Sequence, residues 1–364
     1  MHIQLAKSEF QKELGLVQAV VERKHTIPIL SYLRLEAREG RLWVAGTDID
    51  VGMQSVCEAE VREPGVVCLP ARKLFDLVRA LPEGTMELVA DGERVMIRSG
   101  RSRFRLAGLP VENFPEIPAF PEGGAARAAR QWALGLRRVI FATSEEETRY
   151  VMSGVQLEWW GGGIRLVATD GHRLALWETA EPASGRQTLL VPKKTMQLLV
   201  RLIEDEEGEV EFAADRNHVY FRTVGRELVS RLLTGQFPNY ELVIPKEVKA
   251  RAVVSAEGFH EACRRVAILA DERAPAVRLS FSPGALVLTA RPTSGDEEAV
   301  EEMECSYEGE PMEVAFNAGY LLDFFRVVEG DVEIGLVDSQ SPARLRALED
   351  NGRYVYVVMP MRLG

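Results

Sequence analysis

Residues able to do chemistry are few and thinly spread along this chain. Asp48 and Asp50 form a DxD, and Thr169-Asp170-Gly171-His172-Arg173 gathers an acid, an imidazole and a guanidinium, the groups that acid–base or metal-assisted catalysis draws on. A nuclease or nucleotidyl-transfer enzyme built on Asp48, Asp50 and Asp170 would need those carboxylates to converge on a divalent ion. The spacing argues otherwise. The five histidines, at 2, 25, 172, 218 and 260, show neither HxH nor HExxH spacing, and Cys57, Cys68, Cys263 and Cys305 contain no CxxC pair. No GxxxxGK[ST] and no GxSxG occurs. Asp48 and Asp170 each follow a threonine at the end of an apolar run, where a short carboxylate accepts backbone N–H bonds in an Asx-turn. Their recurrence 122 residues apart fits a shared turn better than a catalytic pair. The expectation is a protein that is not an enzyme and uses neither metal nor cofactor.

The elements that would position these residues recur with the same period. RLWVAGTDID (41–50), IRLVATDGHR (164–173) and LVLTARPTSG (286–295) set Thr47, Thr169 and Ala290 apart by 122 and 121 residues. A second landmark follows each: VCLPARKLFDLVRALPEG from Val67, LLVPKKTMQLLVRLIEDEEG from Leu189 and VAFNAGYLLDFFRVVEGD from Val314. Pro70, Pro192 and Asn317 stand at equivalent points, each opening an amphipathic segment. The third landmark is a proline-marked exit at Phe114-Pro115, Phe237-Pro238 and Met359-Pro360. Three homologous domains are expected, at 1–119, 127–245 and 247–364, which suits a 364-residue chain too long for one core.

Within a repeat, short segments alternate apolar and polar residues, as in Arg41-Leu42-Trp43-Val44, 85–89 and 94–97. Asp91-Gly92 reads as a hairpin turn, and Gly161 to Gly163 can serve the same purpose before Ile164. Phe10, Leu14, Val17 and Val21 share one helical face, as do Leu74, Leu77, Val78 and Leu81. The fold class expected is α+β, with two helices laid over antiparallel sheet in each repeat. No apolar run reaches the ~20 residues that span a bilayer, and MHIQLAKSEF lacks a signal pattern, so the expected location is the cytoplasm.

The formal net charge of −11 at first opposes a nucleic-acid partner. Its distribution reverses that. The helical segments 7–24, 71–81, 127–142 and 193–202 carry +1, +2, +4 and +3, whereas 257–268 and 318–327 carry none; together they hold +10, leaving −21 elsewhere. Six helices on one surface would therefore attract phosphate while the outside repels it. Neither helix-turn-helix nor zinc-finger spacing occurs, so binding should read the backbone and not the bases.

Several stretches are diagnostic in combination: TIPIL at 26–30, Gly46-Thr47-Asp48, LPARK at 69–73, ALPEG at 80–84, RSGRSRF at 98–104, VATDGHRLA at 167–175 and VVMPMRL at 357–363. In these the chain resembles the bacterial sliding-clamp family, the beta subunits of DNA polymerase III, over essentially its whole length. The resemblance implies a head-to-tail homodimer of three-domain subunits, a six-domain ring with helices lining the hole. It implies duplex DNA as a partner bound without sequence specificity, and the replicative polymerase alpha subunit, the clamp loader, and other DNA polymerases and repair proteins carrying short clamp-binding motifs. A nucleoid-associated place in the cytoplasm follows.

On the same resemblance, the DNA-facing positions would be Arg23, Lys24, Arg72, Lys73, Arg101, Arg103, Arg137, Arg138, Arg149, Tyr150, Lys193 and Lys194. A peptide groove would be built by Met152, Thr169, Gly171, His172, Arg173, Leu174, Pro238, Leu242, Val243, Val358, Met359, Pro360, Met361 and Arg362, with His172, Arg173 and Arg362 as rim donors. Leu242 stands where several relatives have arginine, and Gly364 extends past the usual terminal leucine. The subunit seam would set the edge 101–106, centred on Phe104 and Leu106, against Ile268 and Leu269. Lys73, Arg98 and Arg103 would there meet Glu298, Glu301, Glu302 and Glu304.

Overall fold

The computed structural model describes residues 1–21, 26–160, 163–179, 187–204, 208–292, 296–350 and 353–362, so Arg23, Lys24, Gly161, Gly162, Leu363 and Gly364 lie outside the described residues. All six expected helices form: α1 (Lys7–Gln18), α2 (Ala71–Ala80), α3 (Ala129–Val139), α4 (Lys193–Ile203), α5 (Ala256–Val266) and α6 (Ala318–Phe325). α1 ends earlier than its apolar periodicity suggests. The N–H groups of Ala19, Val20 and Val21 each donate to the carbonyl three residues back, at 3.2, 3.1 and 3.2 Å, a tightening typical of a helix end. Among the described residues no helix is long and apolar enough to cross a membrane.

Among the described residues every strand pairing is antiparallel, and each repeat holds two half-sheets built on the same four-strand order, to which the first repeat adds Glu60–Glu63 beside His2–Ala6. In the first repeat these are Gly65–Pro70, Tyr32–Arg38, Arg41–Thr47, Val51–Glu58, and then His2–Ala6, Thr85–Asp91, Arg94–Ser99, Ser102–Ala107. The second repeat has Gln187–Pro192, Gly154–Trp160, Gly163–Thr169, Arg173–Glu178, with Ala125–Ala128, Glu209–Ala214, His218–Thr223, Arg226–Arg231. The third has Met312–Asn317, Ala276–Ser282, Gly284–Ala290, Ala299–Glu308, with Ala250–Ser255, Asp331–Leu336, Ala343–Ala347, Tyr354–Val358. The expected hairpin at Asp91-Gly92 is present, with Gly92 at φ +57.

Half-sheets of successive repeats fuse by one rule. The last strand of a first half-sheet pairs with the last strand of the next repeat's second half-sheet: Val51–Glu58 with Arg226–Arg231, and Arg173–Glu178 with Tyr354–Val358. The two strands that the rule leaves over are Ser102–Ala107 and Ala299–Glu308. Among the described residues the former pairs only with Arg94–Ser99, and the latter, along 299–305, only with Gly284–Ala290.

The chain packs into two compact units, Met1–Ala133 with Lys194–Leu232, and Leu134–Lys193 with Leu233–Gly364. In the first, Phe10, Leu14 and Val17 of α1 and Leu74 and Val78 of α2 are fully buried, and truncating one such side chain to alanine costs about 3 kcal/mol. Glu13 of α1 forms a bidentate pair with Arg226, at 2.6 and 2.8 Å, and accepts a hydrogen bond from Ser55. In the second unit, Phe324 of α6 stacks on Tyr354 and Tyr356 with ring centroids 5.4 and 5.0 Å away.

Candidate functional site

The Thr-Asp segments form the turns their composition suggests. In the second unit, Thr169 Oγ1 donates to the Arg173 carbonyl at 2.6 Å and accepts from Gly171 N at 3.1 Å. Asp170 Oδ1 accepts from the N–H groups of His172 and Arg173, at 2.9 and 3.0 Å. Gly171 sits at φ +88, and a Cβ there would lie 2.8 Å from Nη1 of Arg149, so both backbone and space require glycine. In the first unit Asp48 serves its own turn and receives Lys194 on its second oxygen. These carboxylates are therefore spent on backbone N–H groups and, on their second oxygens, on Lys194 and Arg173. No group of three or more His, Cys, Asp or Glu suited to a metal ion occurs among the described residues. Burial pushes the Cys57 and Cys263 thiols up to about 12, which removes them as nucleophiles at neutral pH.

The Thr169 turn forms one wall of a cavity of about 100 Å³. Nine expected residues line it: Met152, Thr169, Gly171, His172, Arg173, Leu174, Pro238, Val243 and Met359. Asn239, Tyr240 and Val357 line it too and were missed. Strand alternation explains one exchange. Arg173 and Leu174 pair with Val358 and Val357, so Val357 follows Leu174 onto the cavity side while Val358 turns to the opposite, fully buried side. The Met359 N–H donates to the His172 carbonyl at 2.9 Å and holds the chain end across the turn. Pro360 and Arg362 continue past the cavity, and Met361 N donates to the Ala315 carbonyl at 2.7 Å on a different strand. Leu242 is 81% exposed beside the cavity and is not part of its lining.

Arg173 departs from the expectation of a rim donor. Its side chain, 10% exposed, reaches Asp170 at 3.0 Å, Asp323 of α6 at 2.7 Å and the Phe141 carbonyl at 2.6 Å, beneath the Tyr320 ring at 4.4 Å. Burial opposes its charge, but Tyr356, Asp323 and Asp170 more than compensate and hold its pKa above the usual guanidinium range. It braces the wall from behind. Tyr240 is braced similarly: its hydroxyl accepts from Arg165 at 2.8 Å and donates to Glu158 at 3.0 Å, and burial first, with Glu158 adding, pushes its pKa up to about 12.

The cationic positions divide into outward and inward groups. Arg72 and Lys73 are exposed on the first turn of α2, whose N-terminus has no side-chain cap and no acid. Cations there oppose the helix dipole and cost about 0.3–1 kcal/mol each, a placement that a bound anion would reverse. Lys193 and Lys194 stand on the first turn of α4, also free of acid, where Lys193 meets Glu145. By contrast α6 is capped by Asn317, which accepts from Gly319 N at 2.9 Å, and has no cation at its start. Arg101, Arg103 and Arg137 are exposed; Tyr150 is too, while Arg149 is held by Glu146 at 2.9 Å and by the Asp170 carbonyl. Arg138 turns inward, contrary to expectation. It is 11% exposed, pairs with Asp350 at 2.7 Å and lies over the Tyr354 ring at 5.2 Å, so its charge is already used.

Of the residues expected at a subunit seam, Arg103, Phe104 and Leu106 lie on Ser102–Ala107, and Glu301, Glu302 and Glu304 on Ala299–Glu308. Lys73 is on α2, Arg98 on Arg94–Ser99, Glu298 just before Ala299–Glu308, and Ile268 and Leu269 in the turn after α5. Phe104 and Leu106 sit opposite Ile97 and Val95, with Phe104 exposed, and Ile268 just after α5 is 76% exposed with Leu269 beside it. Arg98, Glu298 and Glu301 already have partners in their own unit: Glu87 at 3.2 Å, Arg291 at 2.6 Å and Arg265 at 3.0 Å. Lys73, Arg103, Glu302 and Glu304 are exposed and carry no ion pair among the described residues.

Three family models match in order: DNA polymerase III beta subunit, N-terminal domain at residues 1–118, central domain at 131–239 and C-terminal domain at 241–362. Proteins named beta sliding clamp from Pseudomonas putida and Caulobacter vibrioides are each 36% identical, covering 100% of both chains. Among solved structures, a sliding clamp from Pseudomonas aeruginosa bound to griselimycin superposes with a TM-score of 0.94 at 36% identity. One from Bacillus subtilis reaches 0.94 at 26% identity, and both comparisons cover 100% of each chain.

Proposed function

Because the chain belongs to the DNA polymerase III beta subunit family, we propose that two copies close head to tail into a six-domain ring around duplex DNA. The chain is a sliding clamp, a three-domain processivity factor that performs no chemistry of its own. Its domains on this reading are 1–119, 127–245 and 247–364. The observation that carries ring closure is the pair of left-over strands. Val51–Glu58 and Arg173–Glu178 each pair with the last strand of the following repeat, and Ala299–Glu308 is the third of that kind. Its partner by the same rule is Ser102–Ala107, which belongs to the first repeat and so to a second copy. Phe104 and Leu106 would meet Ile268 and Leu269 there, with Lys73 and Arg103 facing Glu302 and Glu304. A head-to-tail contact closes only if its rotation does; otherwise it polymerises.

Inside such a ring topology retains the DNA, so weak phosphate contacts suffice and sliding is unhindered. Arg72, Lys73 and Arg137 are the contacts that exposure favours, and Lys193 and Lys194, half-buried beside Glu145 and Asp48, join them by their place on the first turn of α4. Arg101 contributes from a turn, Arg103 from the strand Ser102–Ala107, and Arg149 and Tyr150 from the 3-10 turn Glu147–Met152. Arg138 is left out because its side chain, 11% exposed, is buried between Asp350 and the Tyr354 ring. The cavity beside Thr169 would take a short peptide from the polymerase alpha subunit, the clamp loader or repair proteins. Its Leu, Val and Met walls suit several apolar side chains.

Negatively stained particles test the ring. Six-lobed annuli are expected; open filaments or single three-lobed particles would refute closure. Calorimetric titration of a polymerase C-terminal peptide tests the groove. Deleting Met359 to Gly364 should abolish binding while sedimentation still reports dimers, and equal affinity in both forms would refute it.

A further inference from the structure

The turn beside the groove is built twice. In the first unit Thr47 Oγ1 donates to the Val51 carbonyl at 2.9 Å and accepts from Ile49 N at 3.0 Å, while Asp48 Oδ1 accepts from Val51 N at 2.7 Å. Val51 and Gly52 pair with Ser230 and Val229, as Arg173 and Leu174 pair with Val358 and Val357. The Arg231 N–H donates to the Asp50 carbonyl at 2.8 Å, the counterpart of Met359 to His172. The exit from Pro115 to Pro118 closes a third side, as Pro238 to Tyr240 does in the groove. What results is a second cavity, of about 150 Å³, at the repeat-equivalent place.

Its lining differs in a directed way. Where the groove has Gly171, this cavity has Ile49 at φ +84, 49% exposed. A β-branched residue avoids that region, and strained conformations of this kind cluster at ligand clamps, held by surroundings that over-determine them. Here the Thr47 and Asp48 bonds hold it. Ile117 and Val229 supply the apolar floor. At the mouth Asp50 meets Arg231 across 3.7 Å, both well exposed, and His218 at the back is held by Asp215 at 3.5 Å. Glu116 is exposed and carries no ion pair among the described residues. Two carboxylates against one guanidinium leave the mouth acidic.

We propose that this cavity is a second peptide-docking site, which takes a short extended protein segment with an aliphatic side chain on Ile49 and a flanking lysine or arginine on Glu116. This site rests on the repeat geometry of the first unit and stands whether or not the Thr169 groove binds peptides. The probe is a fluorescein-labelled pentapeptide carrying one lysine beside two leucines, with a twin in which glutamate replaces lysine, read by polarisation at 0.15 M salt (about physiological ionic strength). Wild-type protein should bind the lysine peptide at least tenfold better than its twin. Ile49→Gly should lower that affinity about tenfold while its melting transition stays cooperative and moves no lower, since glycine relaxes the backbone. Glu116→Lys should invert the preference between the peptides, and deletion of Met359 to Gly364 should leave binding unchanged. The proposal is overturned if wild-type protein does not bind, if Ile49→Gly binds equally well, if Glu116→Lys keeps the original preference, or if the deletion abolishes binding.

Discussion

Ile49 and Gly171 occupy one position in two copies of the same hydrogen-bonded turn, at φ +84 and +88. Left-handed backbone is free for glycine and strained for isoleucine. Ile49→Gly is therefore expected to raise stability by about 1 kcal/mol, the relieved strain exceeding glycine's entropic cost. Gly171→Val should lose about 2 kcal/mol from strain alone, with the Arg149 contact adding to it. Urea titration of both variants reads the difference; a destabilised Ile49→Gly would contradict this account.

Glu13→Gln in the bidentate pair with Arg226 should cost about 3 kcal/mol, because it leaves a buried guanidinium without its counter-charge. Burial alone would raise the Glu13 pKa, but the hydrogen bonds and charge of Arg226 and the Ser55 hydroxyl outweigh it, and the net shift is downward. A depressed carboxylate stabilises the fold above its unfolded pKa, about 4.5, and that contribution is lost as pH falls through the lower folded value. Wild-type stability should thus fall more steeply below pH about 4.5 than that of Glu13→Gln; parallel pH curves would sink the assignment.

Arg173→Lys keeps the charge but cannot hold Asp170, Asp323 and the Phe141 carbonyl together. Peptide affinity at the Thr169 groove should drop about tenfold, roughly 1.4 kcal/mol, although Arg173 is turned away from the mouth. Calorimetry with the polymerase peptide decides, and a change confined to thermal stability would leave Arg173 without a role in shaping the groove.

Replacing Arg72, Lys73, Lys193 and Lys194 by alanine should weaken duplex binding on every sequence alike. It should also flatten the slope of log affinity against log salt by roughly 0.9 for each phosphate no longer neutralised. Arg138→Ala should leave that slope unchanged, since its side chain is only 11% exposed and is buried between Asp350 and the Tyr354 ring. A flattened slope in Arg138→Ala, or an unaltered one in the fourfold variant, would reverse the division between outward and inward cations.

Phe104→Ala combined with Ile268→Ala removes apolar surface that is already exposed within a single chain. Melting should change by little, whereas sedimentation at micromolar concentration should move from dimer to monomer. A dimer that survives both substitutions would place the seam elsewhere.

What the sequence determined by itself was local or periodic. The six helices follow from apolar spacing, and the Thr47 and Thr169 turns close through bonds spanning at most four residues. The threefold repeat was visible because the same local solutions recur near every 122 residues. Even so, α1 stopped at Gln18 where its pattern continued to Val21. The tertiary structure decided which way charged side chains turn. Arg173 and Arg138 look like surface cations in sequence; Asp323, 150 residues away, and Asp350 draw them inward. Strand pairing chose Val357 over Val358 for the cavity, and brought in Tyr240, whose only signal was a tyrosine following Phe237-Pro238. Glu13 and Arg226 lie 213 residues apart, and no local pattern marks them as partners. A residue's period depends on its immediate neighbours, whereas its ion-pair partner depends on where distant strands cross, and only the folded chain brings those together.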